Sequence, residues 1–295
     1  MTWYLYAFIS ALGVSATTLL EKKDLKRLHS FEYVVVLSAL NLLLACFLLP
    51  WVNFHAAPLV LLAIYLASLL GTFGLWLSVK ALRHLEVSQV APLSSLQVLF
   101  TLLFAVLLLG ERISVPQALG IFIFLYGLWF LNQADYVEDV ISHPLRALGQ
   151  KSLTKVGFYR LLTVLAIALL GLSAILDKWA LGRVDILSFI FLVHLGLFFN
   201  HFLIYFSLYR RLDYLKETIS GINFNIFFVS VFTLVARLAY AQALTLAPVS
   251  LVAPIKRLSA LFSTFFGGIF FKEEGLALRV MVSVLMFLGV YLIVK

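Results

Sequence analysis

Apolar runs of about 20 residues, each long enough to cross about 30 Å of hydrocarbon as a helix, recur along the whole chain. Ten such runs are read, near 2–20, 31–50, 57–82, 87–109, 114–133, 156–178, 186–208, 218–244, 249–271 and 276–294. A backbone in lipid must satisfy its own hydrogen bonds, which leaves helices or a closed barrel. Barrel strands would show short alternating segments, and these runs are too long and too uniformly apolar. Composition agrees: 63% of the residues are hydrophobic and only 12% charged. Mean hydropathy is +1.06, more apolar surface than a soluble fold of this size can hide. The expected class is an all-α integral membrane protein whose first partner is the bilayer.

The single cysteine, Cys46, lies in an apolar run, so neither a disulfide framework nor a cysteine metal site is expected. No cofactor is expected. The net charge of +8 sits in short loops between runs, where topology accounts for it without nucleic acid. The opening "MTWYLYAFIS" lacks a positive leading region, so the first run reads as a retained span.

The longest polar interruption separates two sets of five runs, giving expected units at 1–134 and 156–295 with an interfacial linker at 135–155. The two units are related. Sliding the sequence by 162 positions aligns 80–133 with 242–295 without a gap. Ala81 then meets Ala243, Pro92 meets Pro254, Phe104 meets Phe266, Glu111 meets Glu273 and Gly127 meets Gly289. Compositional bias aligns leucines readily, but not prolines and glutamates in one register. A weaker echo at an offset of 158 pairs "GVSA" from Gly13 with "GLSA" from Gly171. An odd number of spans per copy turns the second copy upside down, a recurrent way to build carriers around a midplane site.

The stretch "VKALRHLEVSQVAPLSSLQVLFTLLFAVLLLGERISVPQALG" from Val79 and its counterpart "AQALTLAPVSLVAPIKRLSALFSTFFGGIFFKEE" resemble the EamA-type branch of the drug/metabolite transporter superfamily. The resemblance covers essentially the whole chain. It implies ten helices as two inverted five-helix repeats around a central cavity, moving small organic metabolites by alternating access. It does not name the cargo, and the sequence sets no oligomeric state.

Lysines and arginines crowd the loops after the first, third, fifth, seventh and ninth runs, whereas the other face has Arg112, Lys178, Arg183 and Lys295. The positive-inside rule puts the crowded face in the cytoplasm and both termini outside, in a bacterial inner membrane.

Three cations remain inside apolar runs: Arg237, Lys256 and Arg257. The eighth and ninth runs are antiparallel neighbours, and at 1.5 Å per residue all three charges lie about 12 Å below one surface. Charge at that depth needs water, an acid or an anion. Asp177, at the end of the sixth run, is the candidate charge partner, but one acid cannot neutralise three cations. Part of this charge is therefore expected to face a wet cavity and attract a carboxylate or phosphate of the cargo. The competing reading starts the ninth helix at Pro254 and lets Lys256 and Arg257 snorkel from its opening turn.

In the first copy Ser94 and Ser95 stand at the matching positions, and with Gln97 they would give a polar, neutral wall; serines that only bond their own backbone are the alternative. Asn223 is a further candidate for lining the path. His194 shares a helical stripe with His201 and is a candidate proton relay. The first run, ending at Leu20, contains no acid, which disfavours proton-coupled cation efflux of the small-multidrug kind. No H-E-x-x-H or G-x-S-x-G motif is present, so an enzyme is not expected. A lipid or lipid-linked phosphate flippase is the closest rival to a carrier of small organic, anionic or amphiphilic solutes, because a cationic groove also suits a lipid phosphate.

Overall fold

The computed structural model describes residues 3–26, 28–94, 96–123, 126–127, 155–209, 219, 224–271, 281, 284–285, 287–289 and 291–292. The linker 135–155 therefore falls almost wholly outside the described residues. So do most of the tenth run and the end of the fifth. Among the described residues the chain is helical: α1 Trp3–Leu25, α2 Ser30–Cys46, α3 Pro58–His84, α4 Val87–Ser94, α5 Gln97–Leu109, α6 Lys155–Leu181, α7 Ile186–Tyr209, α8 Asn225–Leu246, α9 Val249–Lys256 and α10 Leu258–Phe271. Six candidate membrane spans meet length and hydropathy: α1, α3, α6, α7, α8 and the stretch 249–267. The protein is a multi-pass membrane protein.

Two expected spans differ in an informative way. The fourth run divides into α4 and α5 around residue 95, and the ninth divides into α9 and α10 at Arg257. Pro92 and Pro254 lie within α4 and α9, and a proline has no N–H for the carbonyl one turn earlier. Beyond each proline the backbone tightens to three-residue spacing. Leu96 N–H donates to the Leu93 carbonyl at 3.0 Å, and Arg257 N–H reaches both Ala253 and Pro254 carbonyls at 3.1 Å. Because the ninth span starts at Val249, Lys256 and Arg257 sit at an interruption inside the span rather than in an opening turn.

The helices pack as two interleaved sets. α1 packs on α8, and α6 packs on α3; α1 also packs on α10, and α6 on α5. α2 and α7 pack on each other, α2 reaches α8 and α7 reaches α3. Every pairing has a counterpart in which each helix is replaced by the one five places along. Directions are opposed. The start of α8 meets the end of α1, where Asn225 Nδ2 donates to the Leu20 carbonyl at 3.1 Å. The end of α6 meets the end of α8, where Lys178 Nζ donates to the Ala247 carbonyl at 2.9 Å and also to Leu244. α1 and α6 therefore finish on opposite faces.

The echoed glycines mark close crossings. A Cβ on Gly13 would lie 2.8 Å from Ala236 Cβ on α8, and one on Gly171 would lie 3.0 Å from Phe100 Cβ on α5. Neither approach tolerates a larger residue without displacement. The terminal lysines match as well: Lys22 Nζ at the end of α1 donates to the Leu82 carbonyl at 2.8 Å and to Leu85, as Lys178 does at the end of α8. An ammonium on the last, unpaired carbonyls of a helix satisfies them and opposes the helix dipole. Lys22 and Lys178 are thus helix clamps as well as loop charges.

Candidate functional site

The interruption between α9 and α10 places two adjacent cations inside a span. Lys256 ends α9, placing its ammonium at the negative end of that short helix, and Arg257 occupies the junction. At the same level α8 supplies Arg237 and, one turn on, Tyr240, both reached because α8 and α9 are joined only by Ala247 and Pro248. Lys256 Nζ stands 3.7 Å from the centroid of the Tyr240 ring, a close cation–π contact. Eight residues of helix at 1.5 Å each put this contact about 12 Å along α9, the depth expected for the three cations.

Asp177 reaches the same place from α6. It is 7% exposed, its Oδ1 has no hydrogen-bond partner among the described residues, and the charges of Arg237 and Lys256 both act on it. His194 on α7 is 1% exposed with both ring nitrogens unpartnered among the described residues, and Arg237 lies within its electrostatic reach. His201 is not bonded to it; its Nε2 lies 3.3 Å from the Thr72 carbonyl. Gln97 opens α5 at the companion interruption, 8% exposed, with its amide oxygen unpartnered. Arg237, Lys256, Asp177 and His194 thus share one electrostatic neighbourhood, with Arg257 coupled to it through Tyr240 and Lys256.

The serine wall is a different matter. Ser94 Oγ donates to the Val90 carbonyl at 2.8 Å, so the hydroxyl serves its own helix. Ser95 and Asn223 lie outside the described residues.

Tyr240 was not singled out by the sequence, although its spacing from Arg237 places the two on one face of α8. Glu111, which the sequence aligns with Glu273 at the end of an apolar run, also contributes. Gly110, at φ +67° and free of the Cβ clash that disfavours this region, ends α5 and turns the chain so that Glu111 N–H returns to the Ala105 carbonyl at 3.2 Å. The Glu111 carboxylate then accepts from Val249 N–H at 3.2 Å and Ser250 N–H at 3.1 Å, capping α9 with an anion at its positive end. Lys178 holds the last carbonyls of α8 on the other side of that turn. The turn that carries the cation cluster is therefore fixed from both sides by groups on α6 and beyond α5.

A cluster of half-buried cations facing one carboxylate and several polar atoms unpartnered among the described residues is suited to holding an anion. No group of three or more metal-ligating side chains occurs among the described residues. The EamA-like transporter family model matches the chain in two stretches, residues 1–133 and 157–295. The chain belongs to the EamA-like transporter family.

This EamA-like protein is also 32% identical over 137 residues to the probable 4-amino-4-deoxy-L-arabinose-phosphoundecaprenol flippase subunit ArnF of Photorhabdus laumondii subsp. laumondii. The match spans 46% of the EamA-like chain and 100% of ArnF. A protein crystal structure superposes on the EamA-like chain with a TM-score of 0.67 at 13% identity, covering 99% of this chain and 96% of the other, a likeness of fold. Family and relative are transport proteins, as the resemblance implied.

Proposed function

We propose that the protein is a secondary carrier that moves a small organic solute bearing a carboxylate or phosphate across the membrane by alternating access. The two working halves are 1–134 and 156–295, inverted relative to each other and joined by the linker 135–155. The exchange of helix pairings between halves, the opposed ends of α1 and α6, and the twofold family match support that reading. Rocking one half against the other would expose a midplane site to each side in turn.

The observation that carries the proposal is the grouping of Arg237, Lys256 and Arg257 at an interrupted span with Asp177 as the near carboxylate. Buried charge of one sign is costly unless something of the other sign arrives. At the interruption the regular ladder is lost, with Arg257 N–H shared between the Ala253 and Pro254 carbonyls and Ala260 N–H turned to the Arg257 carbonyl, and amides at a helix start favour anions. Arg237 and Arg257 offer forked donors for a planar or tetrahedral anion, with Lys256 as a point charge held by Tyr240. Gln97 and His194 supply neutral polar contacts to the rest of the solute. Purified protein in liposomes should take up labelled anionic metabolites and ignore neutral isosteres; equal uptake of both ends the proposal.

A second reading is favoured by the ArnF relative, whose name describes a flippase subunit for a lipid-linked sugar phosphate. The same cations would then hold a lipid phosphate. Movement of a labelled polyprenyl phosphate between leaflets, without entry of water-soluble anions, selects the flippase.

The placement we propose is a bacterial inner membrane with the cation-rich loops inside and both termini outside. Lys22 and Lys178 serve helix ends on opposite faces, so discounting both leaves the bias intact. A cysteine at the N-terminus should react with a membrane-impermeant reagent added outside; reaction only after lysis reverses the orientation.

A further inference from the structure

α1 runs five residues past the expected end of the first span, to Leu25, and takes Glu21 and Asp24 with it into the helix. Three residues apart, they share one face. Asp24 is 5% exposed and its Oδ2 has no partner; Glu21 is half-buried. Tyr33 comes from α2, 0% exposed, its hydroxyl unpartnered, and both carboxylates act on it. From α8, Asn225 stands beside the Asp24 carboxylate, and its Nδ2 donates to the Leu20 carbonyl. The negative end of the α1 dipole adds to the two carboxylates.

The basic groups around this pocket are otherwise engaged or exposed. Lys22 donates to Leu82 and Leu85, and Lys23, which acts on Asp24, is exposed. Lys80 and Arg83 on α3, together with Lys22, act on His84. α8 brings the neutral Asn225, and α10 brings Ser263 and Gly267 to α1. The result is a largely buried set of oxygens with net negative charge, in which Asp24 Oδ2 and the Tyr33 hydroxyl have no partner among the described residues.

We propose that Glu21, Asp24 and Tyr33, closed by Asn225 from α8, bind a monovalent cation, sodium or a proton, that couples to the solute. Hard oxygen donors suit sodium, and two carboxylates one turn apart can share a proton. α8 links this site to the cation cluster: Asn225 opens the helix, and Arg237 lies twelve residues, about 18 Å, further along it. A cation at one end of α8 and an anion at the other load the carrier with balanced charge, and each occupant favours the same position of the helix. The coupling rests on the anion-carrier reading; the cation site is tested without it.

Full-length protein in detergent is assayed for binding of radioactive sodium, for thermal stability in sodium against choline chloride, and for protonated carboxyl by infrared pH-difference spectra. Wild type should show either sodium binding or a titrating carboxyl signal. Glu21→Gln with Asp24→Asn should weaken that signal at least about tenfold. Tyr33→Phe, which keeps both carboxylates, should weaken it by several-fold and guards against misfolding of the double variant. A wild type that shows neither signal, or variants that bind like wild type, overturns the proposal. Cation binding without anion flux in liposomes would defeat the carrier reading alone.

Discussion

The two interrupted spans occupy matching places in a duplicated chain and have opposite chemistry. α4–α5 breaks at a neutral position, where Ser94 serves its own helix. α9–α10 breaks at two adjacent cations, one resting on Tyr240. The backbone event is common to both and follows from Pro92 and Pro254; the charge is not. Duplication supplied two gaps, and at the second Asp177 stands near the cations while Glu111 caps the start of α9. Difference between copies, rather than shared motif, marks the side to which the proposed carrier reading assigns anion recognition.

The severest challenge is to make the first gap resemble the second. Ser94→Lys should cost about 2.5–3.5 kcal/mol, the cost of a lysine at mid-membrane. It should appear as a large loss of melting temperature and folded yield. A stable, fully active variant would mean the first gap is already wet and able to hold charge. Making the second gap resemble the first is the next test. Arg237→Gln or Arg257→Gln removes a charged contact worth about 1.5–3 kcal/mol, so anion affinity should fall about 10- to 100-fold with folded yield intact. Unchanged uptake kinetics in both variants would reduce the cations to structural pairing. Glu111→Gln addresses the support for that gap. It keeps one acceptor but loses the charge at the α9 start, and about 1 kcal/mol of stability should go with it. Denaturation in mixed detergent reads the loss; no change would make the cap incidental.

Much of this contrast was legible in sequence. Hydropathy marks six of the spans outright, and the depth shared by Arg237 and Lys256 follows from counting residues away from a short turn. The interruptions were not legible, because apolar side chains on both sides of Pro92 and Pro254 keep a hydropathy window high whether or not the helix is continuous. Glu21 and Asp24 were assigned to a loop for a related reason. Charge ends an apolar run, but it does not end a helix when Tyr33, Asn225 and the clamped Lys22 cover it. Of the two readings open for Ser94, the structure has the backbone one, its hydroxyl bonded one turn back to Val90.

The finest difference between the halves lies where the second helix of each begins. α2 starts after His29, which makes no side-chain cap. α7 starts after Asp185, whose Oδ1 accepts from Ser188 N–H at 2.9 Å and whose Oδ2 accepts from Ser188 Oγ at 2.6 Å. Ser188 in turn receives Asn53 N–H at 2.7 Å, tying the α2–α3 loop to α7. Partial burial pushes the Asp185 carboxyl up, but the Ser188 hydroxyl and the backbone amides outweigh it and hold the group below its ordinary value of 3.8. A lowered folded value means the stabilisation is complete above about pH 4 and fades as pH falls through the folded value. Asp185→Ala should therefore cost about 1 kcal/mol at neutral pH, and the gap from wild type should narrow in acid. His29→Ala should leave stability unchanged if α2 is indeed uncapped. Equal losses at the two positions would erase this difference between the halves, and a pH-independent gap for Asp185→Ala would assign the loss to packing rather than to the ionised cap.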